Sequence, residues 1–258
     1  TSPQNVLGKE LDPEAEKALN ILAKSGEVDG ILIVTEPKAH KIYIEWAAKH
    51  GVDILADKPL TSPVGACVDV EAARQVYVDY LDVMEIVKKS GINFYVMVQR
   101  RNHEGYVHVW DYLNEFVSRY GIPISYFESY FADGTWTLPN EFNKENHPYK
   151  YGYGKLMHSG YHSMDLFSWI TSINDQISEK KPNKIRLYVN RFGAPDFLSQ
   201  INQKDYHKLF GKTKKIDEFF KEYDKNDFKK YGELDVFVMI QMMRDDIIVN
   251  TSSITLQQ

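Results

Sequence analysis

Residues 29–60 read DGILIVTEPKAHKIYIEWAAKHGVDILADKPL. Gly30–Thr35 is a short apolar, β-branched run without helical spacing, the pattern of a strand buried on both faces of a sheet. Pro37 stops it. Lys38–His50 follows at helical period, with Ile42, Trp46 and Ala47 on one side, and Gly51 fits just past the helix end. Val52–Ala56 is a second apolar run, closed by Asp57-Lys58-Pro59. The order strand, helix, strand predicts a βαβ crossover with parallel strands and a right-handed connection. Ligands of such sheets bind outside the carboxyl ends of the strands. The turns Thr35–His40 and Asp57–Leu60 both lie at that edge.

A second patterned stretch, His158-Ser159-Gly160-Tyr161-His162-Ser163-Met164-Asp165, lies about a hundred residues further on. The Thr35-Glu36-Pro37-Lys38-Ala39-His40 turn, the Asp57-Lys58-Pro59 turn and this His-containing segment resemble, in that order, the signatures of the Gfo/Idh/MocA family. The resemblance implies an NAD- or NADP-dependent oxidoreductase of sugars, inositols or related polyols. It also implies a Rossmann-type parallel sheet followed by a mostly antiparallel-sheet domain whose face is a common oligomer contact. The expected fold class is therefore α/β plus α+β, with residues 1–99 as a partial dinucleotide-binding domain and 100–258 as a substrate and oligomerisation domain. A dinucleotide fold normally opens with a Gly-x-Gly-x-x-Gly turn whose helix N-terminus holds the pyrophosphate. No such turn occurs in this sequence. By resemblance the chain starts inside the Rossmann domain, and some of the second sheet is expected to be missing as well.

The bulk composition narrows the classes. Hydrophobic residues make up 43% and charged residues 26%, the balance of a globular protein. The net charge of −5 argues against general binding to nucleic acid or to a membrane surface. No apolar run is long enough to span a bilayer, and a cytoplasmic enzyme is expected. The single cysteine, Cys67, excludes an intrachain disulfide and a multi-cysteine metal site. It lies at apolar spacing in a helical pattern and reads as core.

Along the rest of the chain, Asp12-Pro13 is a helix start. Ser62–Ser90 reads as one long or broken helix, with Val68, Ala72, Val76, Leu81, Met84 and Val87 as its apolar face. Ile92–Gln99 reads as a strand, and Arg100-Arg101 as a solvated pair or an anion contact. Tyr106–Tyr120 is an amphipathic helix and Ile122–Ala132 a strand. The loop Asp133–Gly154 carries Trp136, Tyr149, Tyr151 and Tyr153, too many aromatics for a mere connection; it suits a substrate pocket or an oligomer contact. Leu156–Thr171 reads as one helix. Lys184–Arg191 is a strand, Gly193–Gly232 an irregular charged insertion with short helices, and Leu234–Met243 with Asp246–Thr255 a hairpin.

Oxidising a secondary alcohol needs a base for the hydroxyl proton and a cation near the developing alkoxide. The resemblance gives the second task to Lys58, which also touches the cofactor edge, and places Thr35, Pro37 and His40 at the nicotinamide end of the cofactor. Because His40 begins a helix, the alternative reading is a capping or surface histidine. His162 is the expected general base, because an unperturbed histidine titrates near neutral pH. His158 lies one helical turn before it and Asp165 three residues after, so all three can share a face. Asp165 would orient His162 or contact substrate. The family usually has Asp where this chain has His158, which puts the standard proton relay in doubt. A metal would need a third ligand beside His158 and His162, from His103, His108, His147 or Asp165, and no spacing fixes one, so no metal is assigned. The cofactor is NAD or NADP, and the partners are a sugar-like small molecule and further copies of the chain in a dimer or tetramer. Two other readings remain: a non-catalytic relative acting as a binding or assembly module, and a nicotinamide-assisted lyase or glycosidase.

Overall fold

The computed structural model describes residues 10–132, 142, 149–177, 179, 181–222 and 227–257. The chain divides into two compact units, one formed by residues 1–97 with 151–153, the other by 98–150 with 154–258.

The first unit contains helix α1 (Pro13–Ser25), strand β1 (Gly30–Ile33), helix α2 (Pro37–His50), strand β2 (Asp53–Ala56), helix α3 (Val70–Ser90) and strand β3 (Phe94–Val96). Asp12 caps α1, its Oδ1 accepting from the amides of Glu14 and Ala15. The three strands are parallel in the order β1-β2-β3. Right-handed crossovers that step the same way twice put α2 and α3 on one face of the sheet. Ile33, Ile54 and Ala56 are buried on that face with Ile44, Trp46, Ala47 and Val83, and Leu19 and Ala23 of α1 pack against the same core.

The opposite face differs from the sequence expectation. Leu32, Leu55 and Tyr95 are aligned across the three strands and are 58%, 42% and 64% exposed. Among the described residues the strands are therefore covered on one side only, although their composition is that of a doubly covered parallel sheet.

The segment before α3 also departs from expectation. Residues 64–68 form turns, and the helix begins at Val70 with Asp69 as its cap. Pro63 and the left-handed Gly65, at φ +86°, account for the interruption. Cys67 lies in these turns, half-buried, and not on a helical core face. On α3 the buried residues are Asp79 and Val83, while Leu81 and Met84 are exposed. The strand expected over Ile92–Gln99 is confined to Phe94–Val96, and a 3-10 turn follows at Gln99–Asn102.

The second unit holds helix α4 (Glu104–Tyr120), strand β4 (Tyr126–Ala132), helices α5 (Lys155–His158) and α6 (Gly160–Thr171), and strand β5 (Lys184–Gly193). Three short helices follow, α7 (Ala194–Gln200), α8 (Gln203–Phe210) and α9 (Lys214–Glu222), and then strands β6 (Glu233–Arg244) and β7 (Ile247–Gln257). The sheet order is β4-β7-β6-β5: β6 pairs antiparallel with β5 and β7, and β4 lies parallel to β7. Val236, Val238, Ile240, Ile254 and Leu256 form the covered face against Phe167 of α6. The short helices are more than a solvated insertion. They close over their own aromatic core of Phe142, Leu198, Tyr206, Ile216 and Phe228. No helix among the described residues is long and apolar enough to cross a membrane.

Candidate functional site

At the carboxyl edge of the first sheet, Glu36 is extended and Pro37 opens α2, where the missing proline N–H costs nothing. Asp57 continues the ladder, its amide donating to the Ile33 carbonyl at 2.8 Å. Its Oδ1 accepts from the amide of Lys58 at 2.8 Å, and the Lys58–Pro59 bond is cis. Thr35 is exposed at this edge and Lys58 is half-buried.

His40 is neither a surface nor a capping residue. Its ring is fully buried, with Nδ1 2.9 Å from the Pro59 carbonyl oxygen and Nε2 2.9 Å from that of Thr35. One side chain thus bridges both edge turns. Burial lowers its pKa from the ordinary histidine value. The two carbonyls and Asp57 oppose that shift, and Lys58 adds to it.

A second network, not anticipated from the sequence, secures the chain just after Lys58. Asp79 of α3 accepts from Thr61 Oγ1 at 3.1 Å, Lys41 Nζ at 2.7 Å and Gln75 Nε2 at 2.9 Å. Burial opposes the charge on Lys41, but Asp79 and Asp82 outweigh it and raise the pKa. The signal available was an aspartate at a helical core position, four residues before Val83.

Of the aromatic loop, Trp136 and His147 lie outside the described residues. Residues 151–153 pack within the first unit. The Tyr151 and Gly152 carbonyls accept from the amides of Gly65 at 2.7 Å and Cys67 at 3.1 Å, and Lys38 Nζ sits 3.7 Å above the Tyr151 ring. The Tyr153 hydroxyl is pushed well above the ordinary tyrosine value, first by burial and then by Glu36 and Asp57, so it stays protonated.

In the second unit the expected single helix is interrupted. α5 ends at His158, Ser159 forms the link, and α6 begins at Gly160. His158 is half-buried and His162 buried. Gly154 caps α5 because nothing larger fits: a Cβ there would lie 2.5 Å from the Glu233 amide nitrogen. The buried Glu233 accepts from the Leu156 amide at 2.8 Å, serving an amide at the start of the helix. Lys155 is wholly buried, its Nζ 5.6 Å from the centre of the Phe131 ring, over which Arg100 also sits at 4.7 Å.

Both oxygens of Asp165 are taken by Arg101: Nε donates to Oδ2 at 2.6 Å and Nη2 to Oδ1 at 2.5 Å. Arg101 is thus no solvated entry residue. Trp169, one turn further along α6, lies 5.9 Å from its guanidinium and stacks on Trp110. Arg101→Lys keeps a charge but loses the two-pronged fit. Arg101→Ala leaves the Asp165 carboxylate, 12% exposed, without its partner. Breaking a fully buried pair costs about 3–5 kcal/mol. With Arg101 39% exposed, solvent reduces the expected loss to roughly 1–3 kcal/mol. Urea midpoints should fall in the order wild type, Lys, Ala. Equal midpoints would mean that the pair does not hold α6 to the Gln99–Asn102 turn.

Among the described residues no group of three or more His, Cys, Asp or Glu could hold a metal ion. His103 caps α4, its Nδ1 accepting from the Gly105 amide. A cavity of about 510 Å³ in the second unit is lined by Phe167, Thr171, Asn174, Met242, Arg244 and Asn250 and includes none of His158, His162 or Asp165. Its two asparagines bond the Ile124 backbone, so they are engaged in structure.

Residues 7–78 match the sequence model of an oxidoreductase family with an NAD-binding Rossmann fold. No match is found among curated proteins. Solved structures share the fold at low identity. A scyllo-inositol dehydrogenase from Lactobacillus casei is 13% identical at a TM-score of 0.54, covering 99% of this chain and 63% of its own. Myo-inositol 2-dehydrogenase from Lactobacillus plantarum is 15% identical at 0.52, covering 92% and 53%. An oxidoreductase from Agrobacterium radiobacter, solved with NAD+, L-tartaric acid and magnesium, is 13% identical at 0.56, covering 92% and 50%. The chain spans little more than half the length of the solved structures it matches. Over residues 7–78 the chain is similar to the Gfo/Idh/MocA oxidoreductase family, whose sequence model describes an NAD-binding Rossmann fold.

Proposed function

We propose that the chain is part of an NAD- or NADP-dependent oxidoreductase acting on a hydroxyl or carbonyl of a sugar, inositol or related polyol. The observation that carries this reading is the matched edge of the parallel sheet, where Lys58 stands on a turn fixed by Asp57, Pro59 and His40. When bound, a nicotinamide accepts the hydride. Lys58 holds its ammonium toward the oxygen that becomes an alkoxide, and His162 takes the hydroxyl proton. Thr35 and Pro37 offer the turn surface for the nicotinamide end, with His40 supporting it from beneath. Asp165, held by Arg101, fixes the helix that carries His162. His158 stands where the family usually has Asp and would contact substrate or tune His162.

Residues 1–99 then serve the dinucleotide and residues 100–258 the substrate and assembly. The uncovered face of the second sheet supports a homo-oligomer, since Tyr130 and Phe237 lie on one cross-strand row and are 63% and 44% exposed.

The sequence has no glycine-rich turn to receive a pyrophosphate. Fluorescence titration of NADH against this chain should therefore show no saturation in the submicromolar range. At millimolar dinucleotide, carbinol-deuterated inositols and sugars should still transfer deuterium to the nicotinamide. Tight NADH binding would refute the account of the pyrophosphate end. Millimolar binding without transfer to or from any polyol would favour the non-catalytic reading.

A further inference from the structure

His40 poses a problem of hydrogen counting. Both ring nitrogens face backbone carbonyl oxygens at 2.9 Å, and a carbonyl can only accept. A neutral imidazole has one N–H. The other nitrogen of this fully buried ring would then direct a lone pair at a carbonyl oxygen, an unmatched polar contact that is costly. Only the imidazolium satisfies both contacts.

We infer that His40 is a positioning residue that ties the Thr35 turn to the Lys58–Pro59 turn, and that the tie is complete only when the ring carries both protons. The two carbonyls belong to the turns that follow the adjacent strands β1 and β2, so the ring sets their separation and with it the backbone on which Lys58 stands. The charged groups facing the ring are Asp57, which favours the imidazolium, and Lys58, which opposes it. Burial dominates and lowers the midpoint below the ordinary value. The doubly held state therefore forms on acidification to below about pH 6.5. Above that midpoint the ring keeps a single N–H, one of the two carbonyls is released, and the Lys58 turn is held from one side. The role of Lys58 itself rests on the proposed oxidoreductase function, whereas the clamp does not.

The test is NMR of this chain with labelled histidine and lysine, titrated between about pH 4 and pH 8. Going down in pH, the His40 nitrogens should change from one protonated to both protonated. The amide of Glu36 or of Leu60, each in the same peptide group as a clamped carbonyl, should shift with the same midpoint. So should the Lys58 side-chain carbon next to Nζ. In His40→Gln these common shifts should vanish, and if that variant does not fold the wild-type titration decides alone. A ring that keeps both protons throughout, or one that titrates while Glu36, Leu60 and Lys58 stay still, overturns the inference. No cofactor or substrate enters the measurement. A failed clamp leaves the oxidoreductase reading intact, and a failed hydride-transfer assay leaves the clamp intact.

Discussion

Gly154→Ala should lower the melting temperature of the chain by roughly 5–12 °C, a loss of about 2–3 kcal/mol. The backbone at Gly154 is ordinary for any residue, with φ −96°. The obstacle is steric: an added Cβ would lie 2.0 Å from Glu233 Oε2 and 2.5 Å from the Glu233 amide nitrogen. The carboxylate could swing aside, but it is buried and serves the Leu156 amide at 2.8 Å. The amide nitrogen belongs to the first residue of β6 and cannot move without the sheet. Gly160→Ala is the comparison. Its Cβ would meet Leu256 Cδ1 at 2.3 Å, with backbone no nearer than the Lys155 carbonyl at 3.2 Å. A leucine tip can turn within a core where backbone cannot, so Gly160→Ala should cost less. The reverse order in differential scanning calorimetry would show that β6 yields more readily than the core around Leu256.

The sequence made the order of elements legible because local chemistry determines it. Pro37 and Gly51 bracket a helix wherever they fall, and the turn at Arg244-Asp245-Asp246 between two β-rich runs closes a hairpin. The number of layers over a sheet is not local. The run Ile31–Ile33 has the same composition whether one face or both are covered, so the exposure of Leu32, Leu55 and Tyr95 could not be foreseen. Periodicity also failed at Ser159, where apolar spacing continues across the link between α5 and α6.

The candidate residues were found by motif, whereas their partners were not. Arg101 and Asp165 are 64 positions apart, and nothing in either segment names the other. A lysine opening a helix normally reads as solvated, yet Lys155 is wholly buried. His40 was selected for its place in a turn motif. Its work is done by two backbone carbonyls, at Thr35 and Pro59, which carry no sequence signal at all.

Lys58→Ala, in any form of the protein that turns over substrate, should lower kcat by roughly 10²–10³-fold, a loss of about 3–4 kcal/mol of transition-state stabilisation. The reasoning begins with the ground state. A polyol hydroxyl is neutral, and an ammonium beside it gains little more than an ordinary hydrogen bond. As the hydride leaves the carbon and the proton leaves the oxygen, negative charge gathers on that oxygen. Its attraction to the ammonium rises in a site shielded from water. An interaction that strengthens only along the reaction raises kcat without tightening the bound substrate. Removing it should therefore lower kcat and kcat/KM together, and leave dinucleotide affinity within a few-fold. Lys58→Arg should not restore the rate. Its planar fork needs different room from a compact ammonium, and the turn beneath is fixed by the Asp57 carboxylate on one side and the His40 ring on the other. The decisive measurement is single-turnover hydride transfer at saturating dinucleotide, which separates chemistry from product release. If the alanine variant transfers hydride within a few-fold of wild type, the alkoxide is stabilised by another group and Lys58 serves only to shape the turn.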